Sequence, residues 1–527
     1  MQLRQPCIKF GFLLLILAAC QPTDSPDGVK VVAGAEQATV IDEPQRPLPD
    51  GPDSSWVDFV NRYIEDFLAA HPAFAVAQGR HEFDGLLPDW SAEGIAREIS
   101  RLRQAREDAL AFSASELGAT GQYQRKYLLA TIDRALFWLE KAEWPFVNPT
   151  FYFDRMMDSL DPRPYIALNY ASLEERMNSY TRYARNIPRA TDQIRSNLRM
   201  PMARTRVEYG IDSFGGLADY FMDEVPAVFA AVGNEALQAE FAEANTAAAV
   251  AMRELAEWLK SNQNSATGDY ALGPDLFRQM IYDTERVNVS LEELEAIGLA
   301  DMKRNQLALG EVCAEFAPGE SIRSCFSSMA NRKPDGGAVA AARLQREETK
   351  AFLIEQDLLS NAGEEEALVA GEFGRVFVTC AFAEGWAHYA EEIMLEAGLR
   401  GGSPEARVGQ LSKALLRNAH FLSAIGLHTR GMSVEEAGKL FMEEAYLDRG
   451  TAEQQAARGT YDPAFLNYTL GKLMIRQLRD DWTARAGGRA AWKEFHDTFL
   501  SFGGPPIPLA RAQMMNGNPE AVFSVSE

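Results

Sequence analysis

The chain has 527 residues, 46% of them hydrophobic and 24% charged. That is ordinary globular composition, which excludes a wholly disordered chain or a collagen-like fibre. Asp and Glu outnumber Lys and Arg by 75 to 52, a formal net charge of -23. Binding a polyanion needs a basic footprint, so nucleic acid is excluded as the expected partner.

The amino terminus reads as an address. Arg4 and Lys9 precede Phe10 to Ala19, an unbroken run of apolar or glycine residues. The run falls short of the roughly 20 residues that span a bilayer and fits a signal-peptide core. It ends Leu17-Ala18-Ala19-Cys20, small residues before a cysteine that resemble a bacterial lipobox. The expectation is cleavage before Cys20, lipidation of its thiol, and a mature net charge of -25 once Arg4 and Lys9 are gone. Gln21 favours an outer-membrane over an inner-membrane destination on the periplasmic side of the envelope. Residues 20–55 are rich in Pro, Asp and Gly without helical periodicity, a flexible tether.

From residue 56 onward the pattern is helical. Ser172, Ser290, Ser433 and Thr451 each precede Glu or Gln by three positions, the capping-box spacing, and Ser403-Pro404 reads as an N-cap followed by Pro at N1. Apolar residues recur every three or four positions, as at Leu291, Leu294 and Ile297. Pro162 to Pro164, Gly215-Gly216, Lys333 to Gly337, Gly401-Gly402 and Gly503 to Pro508 read as breaks. The fold class expected is all-α, a single large multi-helix domain over residues 56–527. Of the five cysteines, Cys7 leaves with the signal and Cys20 takes lipid. In an oxidising compartment Cys313 and Cys325 could pair; alternatively these two and Cys380 remain buried thiols.

Several chemistries are missing from the sequence: no Gly-x-Ser-x-Gly elbow, no phosphate-binding loop, no His-Glu-x-x-His pair and no spaced cysteine pairs for a structural zinc. The densest polar cluster is Glu384, His388 and Glu391, which lie within about 60° of one another on a helix. Side chains at i and i+4 lean together and could share a metal ion. The same spacing equally describes an amphipathic helix with a solvated acidic side. Arg417, His420, His428 and Tyr468 are further polar candidates for an oxyanion or a substrate terminus, or ordinary satisfied core groups.

Phe382-Ala-Glu384-Gly-Trp-Ala-His388-Tyr-Ala-Glu391-Glu392 resembles the signature of the bacterial family called domain of unknown function 885 (DUF885). The resemblance continues through Leu415 to Phe421, Gly426 to Ala437, Arg458 to Pro463, Leu466 to Leu473 and Phe495 to Asp497, and upstream through His71 to Gly79 and Asp84 to Asp89. It covers nearly all of residues 56 to 515. The family is similar to α-helical gluzincin-type zinc peptidases, which implies a central cleft, zinc as cofactor and short peptides or amides as substrates or ligands. In the family a His-Glu-x-x-Pro-Gly-His block and the Glu of Glu-Gly-Trp, here Glu384, would bind the metal, leaving one position open for an activated water.

This chain passes from Gly371-Glu372 straight to Phe373 and Cys380, and the block is absent. Glu384 with His388 makes at most two metal ligands, one short of a usual catalytic zinc site, and the hydrolytic base is gone. The resemblance leaves Tyr468 and His428 as candidates for contacting substrate or oxyanion, and Arg417 for a substrate carboxylate. Loss of the block is expected to uncover part of the Glu384 helix. The expectation is therefore a lipid-anchored envelope protein impaired in hydrolysis, or a non-catalytic peptide-binding or scaffold lipoprotein, and, as a further alternative, a metal-free enzyme with Glu384 and His388 as an acid–base pair.

Overall fold

Caps decide where the helices begin. The computed structural model describes residues 54–153, 159–330, 337–360 and 371–515. Cys20, the leader and most of the tether lie outside the described residues. Three serines found by spacing, Ser172, Ser290 and Ser433, form complete capping boxes with Glu175, Glu293 and Glu436. Ser403 caps its helix with Pro404 at N1. Thr451 does not begin a helix: Asp448 accepts the Thr451 N–H at 3.0 Å and starts the helix three residues earlier, because a carboxylate there meets the orphan amides first. Gly215-Gly216 does not break the chain either. Both residues lie inside one helix, since a glycine within a periodic apolar pattern lowers helix stability without ending it.

The architecture is all-α, as expected. Among the described residues the extended backbone amounts to one isolated bridge, Ala203 to Thr267. The chain begins with α1 (Ser54–Ala70), α2 (Ala92–Ala111) and α3 (Ala114–Leu136). A second group follows: α4 (Leu173–Asn197), α5 (Arg204–Asp223) and α6 (Glu235–Asn262). Next come α7 (Pro274–Glu285), α8 (Leu291–Phe316), α9 (Ile322–Ala330), α10 (Gly337–Glu355) and α11 (Gly371–Val376). The C-terminal group is α12 (Cys380–Glu396), α13 (Pro404–Thr429), α14 (Val434–Glu443), α15 (Arg449–Tyr461), α16 (Asn467–Ala486), α17 (Trp492–Ser501) and α18 (Ile507–Met515). None of the described helices is long and apolar enough to cross a membrane.

Three apolar cores hold these groups, and they interlock. The first is built from α1 to α3 yet is closed by Phe377 and Leu509 from the far end of the chain. The second runs from Val76 to Leu259 and the third from Phe137 to Ala510. Phe151 packs against all three. Burying apolar side chains of such distant sequence positions in shared cores makes the whole a single domain. Cys313 on α8 and Cys325 on α9 form a disulfide across the intervening turn, which settles the alternative left open by sequence. Cys380 is a free thiol.

The contact that positions the candidate site is the seam between α12 and α16. The two helices run in the same direction: Gly385 meets Gly471, Glu392 meets Arg476 at 3.3 Å and Glu396 meets Arg479 at 2.9 Å. A methyl group on Gly385 would stand 2.4 Å from the Gly471 Cα, and one on Gly471 would stand 1.9 Å from the Ala381 carbonyl oxygen. Only glycine at both positions lets the backbones approach so closely. Glu285 at the end of α7 fastens the start of this seam. Its Oε1 accepts the Ala381 N–H and an Asn467 Nδ2–H, each at 3.1 Å.

Candidate active site

The close crossing sets Glu384 of α12 against Tyr468 of α16, whose phenol donates to the carboxylate. Burial raises the Glu384 carboxyl above its usual range despite that hydrogen bond and the nearby Arg417 and Arg458 guanidinium groups. Burial, then the Glu384 charge, likewise raises the Tyr468 phenol. Glu384 is therefore not part of a solvated acidic face. One edge of α12, formed by Ala383, Glu384, Ala387, Ala390 and Glu391, is partly exposed, and the remaining positions from Ala381 to Ile393 are buried.

One turn further on, His388 is fully buried. Arg417 Nη1 of α13 donates to its Nδ1 at 3.0 Å. Glu391 Oε2 lies 3.5 Å from the same nitrogen, so Nδ1 stands between a guanidinium and a carboxylate. Nε2 is buried without a partner among the described residues. Burial, with Arg417 next in effect, pushes the His388 pKa down to about 4, so the ring is neutral. Arg417 also grips Glu391, with Nη2 to Oε1 at 3.0 Å and a second bond from Nη1 to Oε2, and its guanidinium lies 5.7 Å from the Tyr468 ring centre. Burial alone would raise the Glu391 carboxyl, but His388 and Arg417 outweigh it and hold it at about 2.

Glu384, His388, Arg417 and Tyr468 thus form one wall. His420, also on α13, stands behind it, with Nε2 and Gln455 Oε1 2.8 Å apart and the ring stacked on Phe465 at 4.6 Å. His428 is elsewhere. It lies eleven residues beyond Arg417, about 16 Å along the helix. Its Nδ1 accepts the Leu272 N–H at 3.2 Å, and its Nε2 donates to the Gly459 carbonyl at 2.8 Å. Both ring nitrogens hold the fold together.

The wall includes groups to which sequence reasoning assigned no role. Arg458 on α15 pairs with Asp462 through Nε at 2.9 Å and Nη2 at 2.7 Å and reaches the Tyr468 hydroxyl. The i, i+4 spacing of Arg458 and Asp462 was the available signal. Cys380 lies beside Glu384 and Glu285, and burial followed by these carboxylates holds its thiol far from thiolate formation. Below the wall, Lys472 bonds Asp301 at 2.5 Å and reaches Glu392 at 3.7 Å, with Arg304 on both acids. Burial alone would raise the Asp301 carboxyl, but Lys472 and Arg304 outweigh it and hold it well below the usual range. No periodicity announces this network, because its members lie on three different helices.

The donor set does not fit zinc. Among the described residues no three His, Cys, Asp or Glu side chains converge as a ligand group. His388 Nδ1 faces a guanidinium, and Glu384 is engaged by a phenol. Two surface hollows of about 710 and 580 Å3 open beside Ser172 and Asn234 and beside Leu358 and Trp492; neither is lined by the wall residues.

The profile of a family described as "Bacterial protein of unknown function (DUF885)" matches residues 72–366 and 358–514, two pieces that meet at 358–366. No curated protein matches the chain. Among solved structures, one described as "a putative lipoprotein of unknown function from Shewanella oneidensis" superposes with a TM-score of 0.68 at 19% identity, over 88% of this chain and 100% of that one. Another, "the putative lipoprotein from Colwellia psychrerythraea", gives 0.70 at 14% identity, over 88% and 99%. At such identities the likeness is one of fold.

Proposed function

Because the chain belongs to the DUF885 family of bacterial proteins, we propose that it is a lipid-anchored envelope protein whose peptide-binding wall outlasts a lost hydrolytic centre. The observation that carries this reading is the pairing of a built, half-covered wall, Glu384 with Tyr468 and Arg417, with a donor set too small for a catalytic zinc. The break of the family match at 358–366 supports it, since the missing metal-binding block belongs close to that point. The lipobox-like Cys20 and the lipoprotein descriptions of the two solved relatives support the envelope location.

Without the block, the wall can still bind. Tyr468, bonded to Glu384 and Arg458, keeps a hydroxyl lone pair, and the alanine edge of α12 beside Glu384 stays partly exposed to a ligand. His388 is enclosed and its Nδ1 is tied to Arg417, so it is not placed to activate water. The test is zinc content by mass spectrometry, peptide hydrolysis and calorimetric binding of short peptides, all on the mature protein. The expected result is no stoichiometric zinc, no hydrolysis and measurable binding. About one zinc per chain, lost on Glu384→Ala and accompanied by hydrolysis, would overturn the reading. Turnover that survives a strong chelator would instead indicate a metal-free enzyme.

A further inference from the structure

The wall does not stop at Tyr468. Arg458 connects Tyr468 to Asp462, and the residue before Asp462 is Tyr461, the last of α15. The Tyr461 ring faces Tyr209 of α5, with ring centres 4.6 Å apart and planes at 42°. Phe153 meets the other ring edge-on at 6.1 Å. The pair is held in place by its surroundings. The Tyr461 carbonyl accepts from Asn148 Nδ2 at 3.0 Å and Thr150 Oγ1 at 3.5 Å, and Thr205 and Thr460 link α5 to α15 through their hydroxyls at 2.5 Å. Both rings stay partly open to solvent.

Asp212 lies three residues after Tyr209, on the same face of α5. It has no ion pair or hydrogen bond to any described residue, and loss of surrounding water raises its carboxyl above the usual range. Its charge is felt at the Tyr461 phenol. Tyrosine faces attract cations through the ring quadrupole, and an unpaired carboxylate beside them adds a counter-charge. An anion would be repelled by that carboxylate. Arg458 also reaches the Tyr461 phenol with its charge, and Asp462, paired with it at 2.7 Å, offsets part of that charge.

We propose that Tyr209, Tyr461 and Asp212 form a subsite for a cationic side chain, ammonium or guanidinium, of a peptide lying along the Glu384–Tyr468 wall. The peptide part of this statement rests on the function proposed above; the cation part stands on the rings and Asp212.

The experiment uses the mature protein with three probes: Ala-Lys-Ala, the uncharged near-isostere Ala-norleucine-Ala, and n-butylammonium alone. Calorimetry measures peptide binding, and NMR line broadening measures the amine. The expected result is roughly tenfold tighter binding of the lysine peptide, a preference removed by Asp212→Asn with norleucine-peptide binding unchanged and reduced by Tyr461→Leu. Asp212 is exposed, so its variant folds even if Tyr461→Leu does not. Equal affinity for both peptides would sink the subsite while leaving peptide binding intact. Asp212-dependent binding of n-butylammonium without binding of either peptide would support the subsite and sink the peptide reading. Absence of binding by all three would overturn both.

Discussion

Gly471→Ala tests the seam on which the whole site depends. The added methyl would stand 1.9 Å from the Ala381 carbonyl oxygen and 2.7 Å from the Gly385 Cα, where ordinary contact begins near 3.4 Å. The helices must part locally by about 1.5 Å to accept it. Overpacking against backbone costs about 1–3 kcal/mol. Parting also stretches the 3.1 Å bonds from Ala381 and Asn467 to Glu285, at about 1 kcal/mol each. Alanine recovers about 1 kcal/mol of helix propensity over glycine. The net expectation is a loss of about 2–4 kcal/mol, read from urea denaturation midpoints. Gly216→Ala is the control, since it lies in the exposed interior of α5 with nothing within 4 Å of an added Cβ. It should gain about 0.5–1 kcal/mol. If Gly471→Ala left stability unchanged, or moved it in the same direction as the control, the close-approach argument would be refuted.

Lys472→Met removes the innermost cation from Asp301 and Glu392, which are almost fully buried; a loss of about 3–5 kcal/mol is expected in the same denaturation assay. Glu285 contributes the opposite sign with pH: burial raises its carboxyl from 4.5 to about 7, so the folded state favours its proton, and its contribution to stability falls as pH rises from about 4.5 to about 7. Glu285→Gln keeps the Oε1 acceptor and cannot ionise. Urea midpoints should therefore show the variant gaining on the wild type between pH 5 and pH 8, and a constant difference would contradict the assignment. Reduction of the Cys313–Cys325 disulfide reopens a short loop and should lower stability by about 3 kcal/mol, measured with and without reductant. Cys20→Ser should abolish labelled fatty-acid incorporation and release the protein from the membrane fraction.

Much of the site was visible before folding, though not its meaning. Glu384, His388 and Glu391 share a face by spacing alone, but spacing could not distinguish a solvated stripe from a packed wall. Tertiary structure decided it: Arg417 from α13 caps Glu391 and His388, and Tyr468 covers Glu384. Tyr468 is 84 positions away from Glu384, a separation over which no local pattern carries information. His428 illustrates the converse. It shares a helix with Arg417 and the same residue chemistry as His420, yet the helix rise carries it out of reach and the backbone takes both its nitrogens.

What the amino-acid order determined by itself was local and periodic. Serine caps at 172, 290, 403 and 433, the apolar repeats that make the fold all-α and the acidic balance each depend on neighbours within a few residues. What only the assembled fold decided was which distant groups meet: the Glu285 clamp, the Asp301–Lys472 network and the Tyr209–Tyr461 platform. Each joins helices separated by scores of residues. Such pairings arise from burying apolar surface in shared cores and from close approaches such as the one that Gly385 and Gly471 allow.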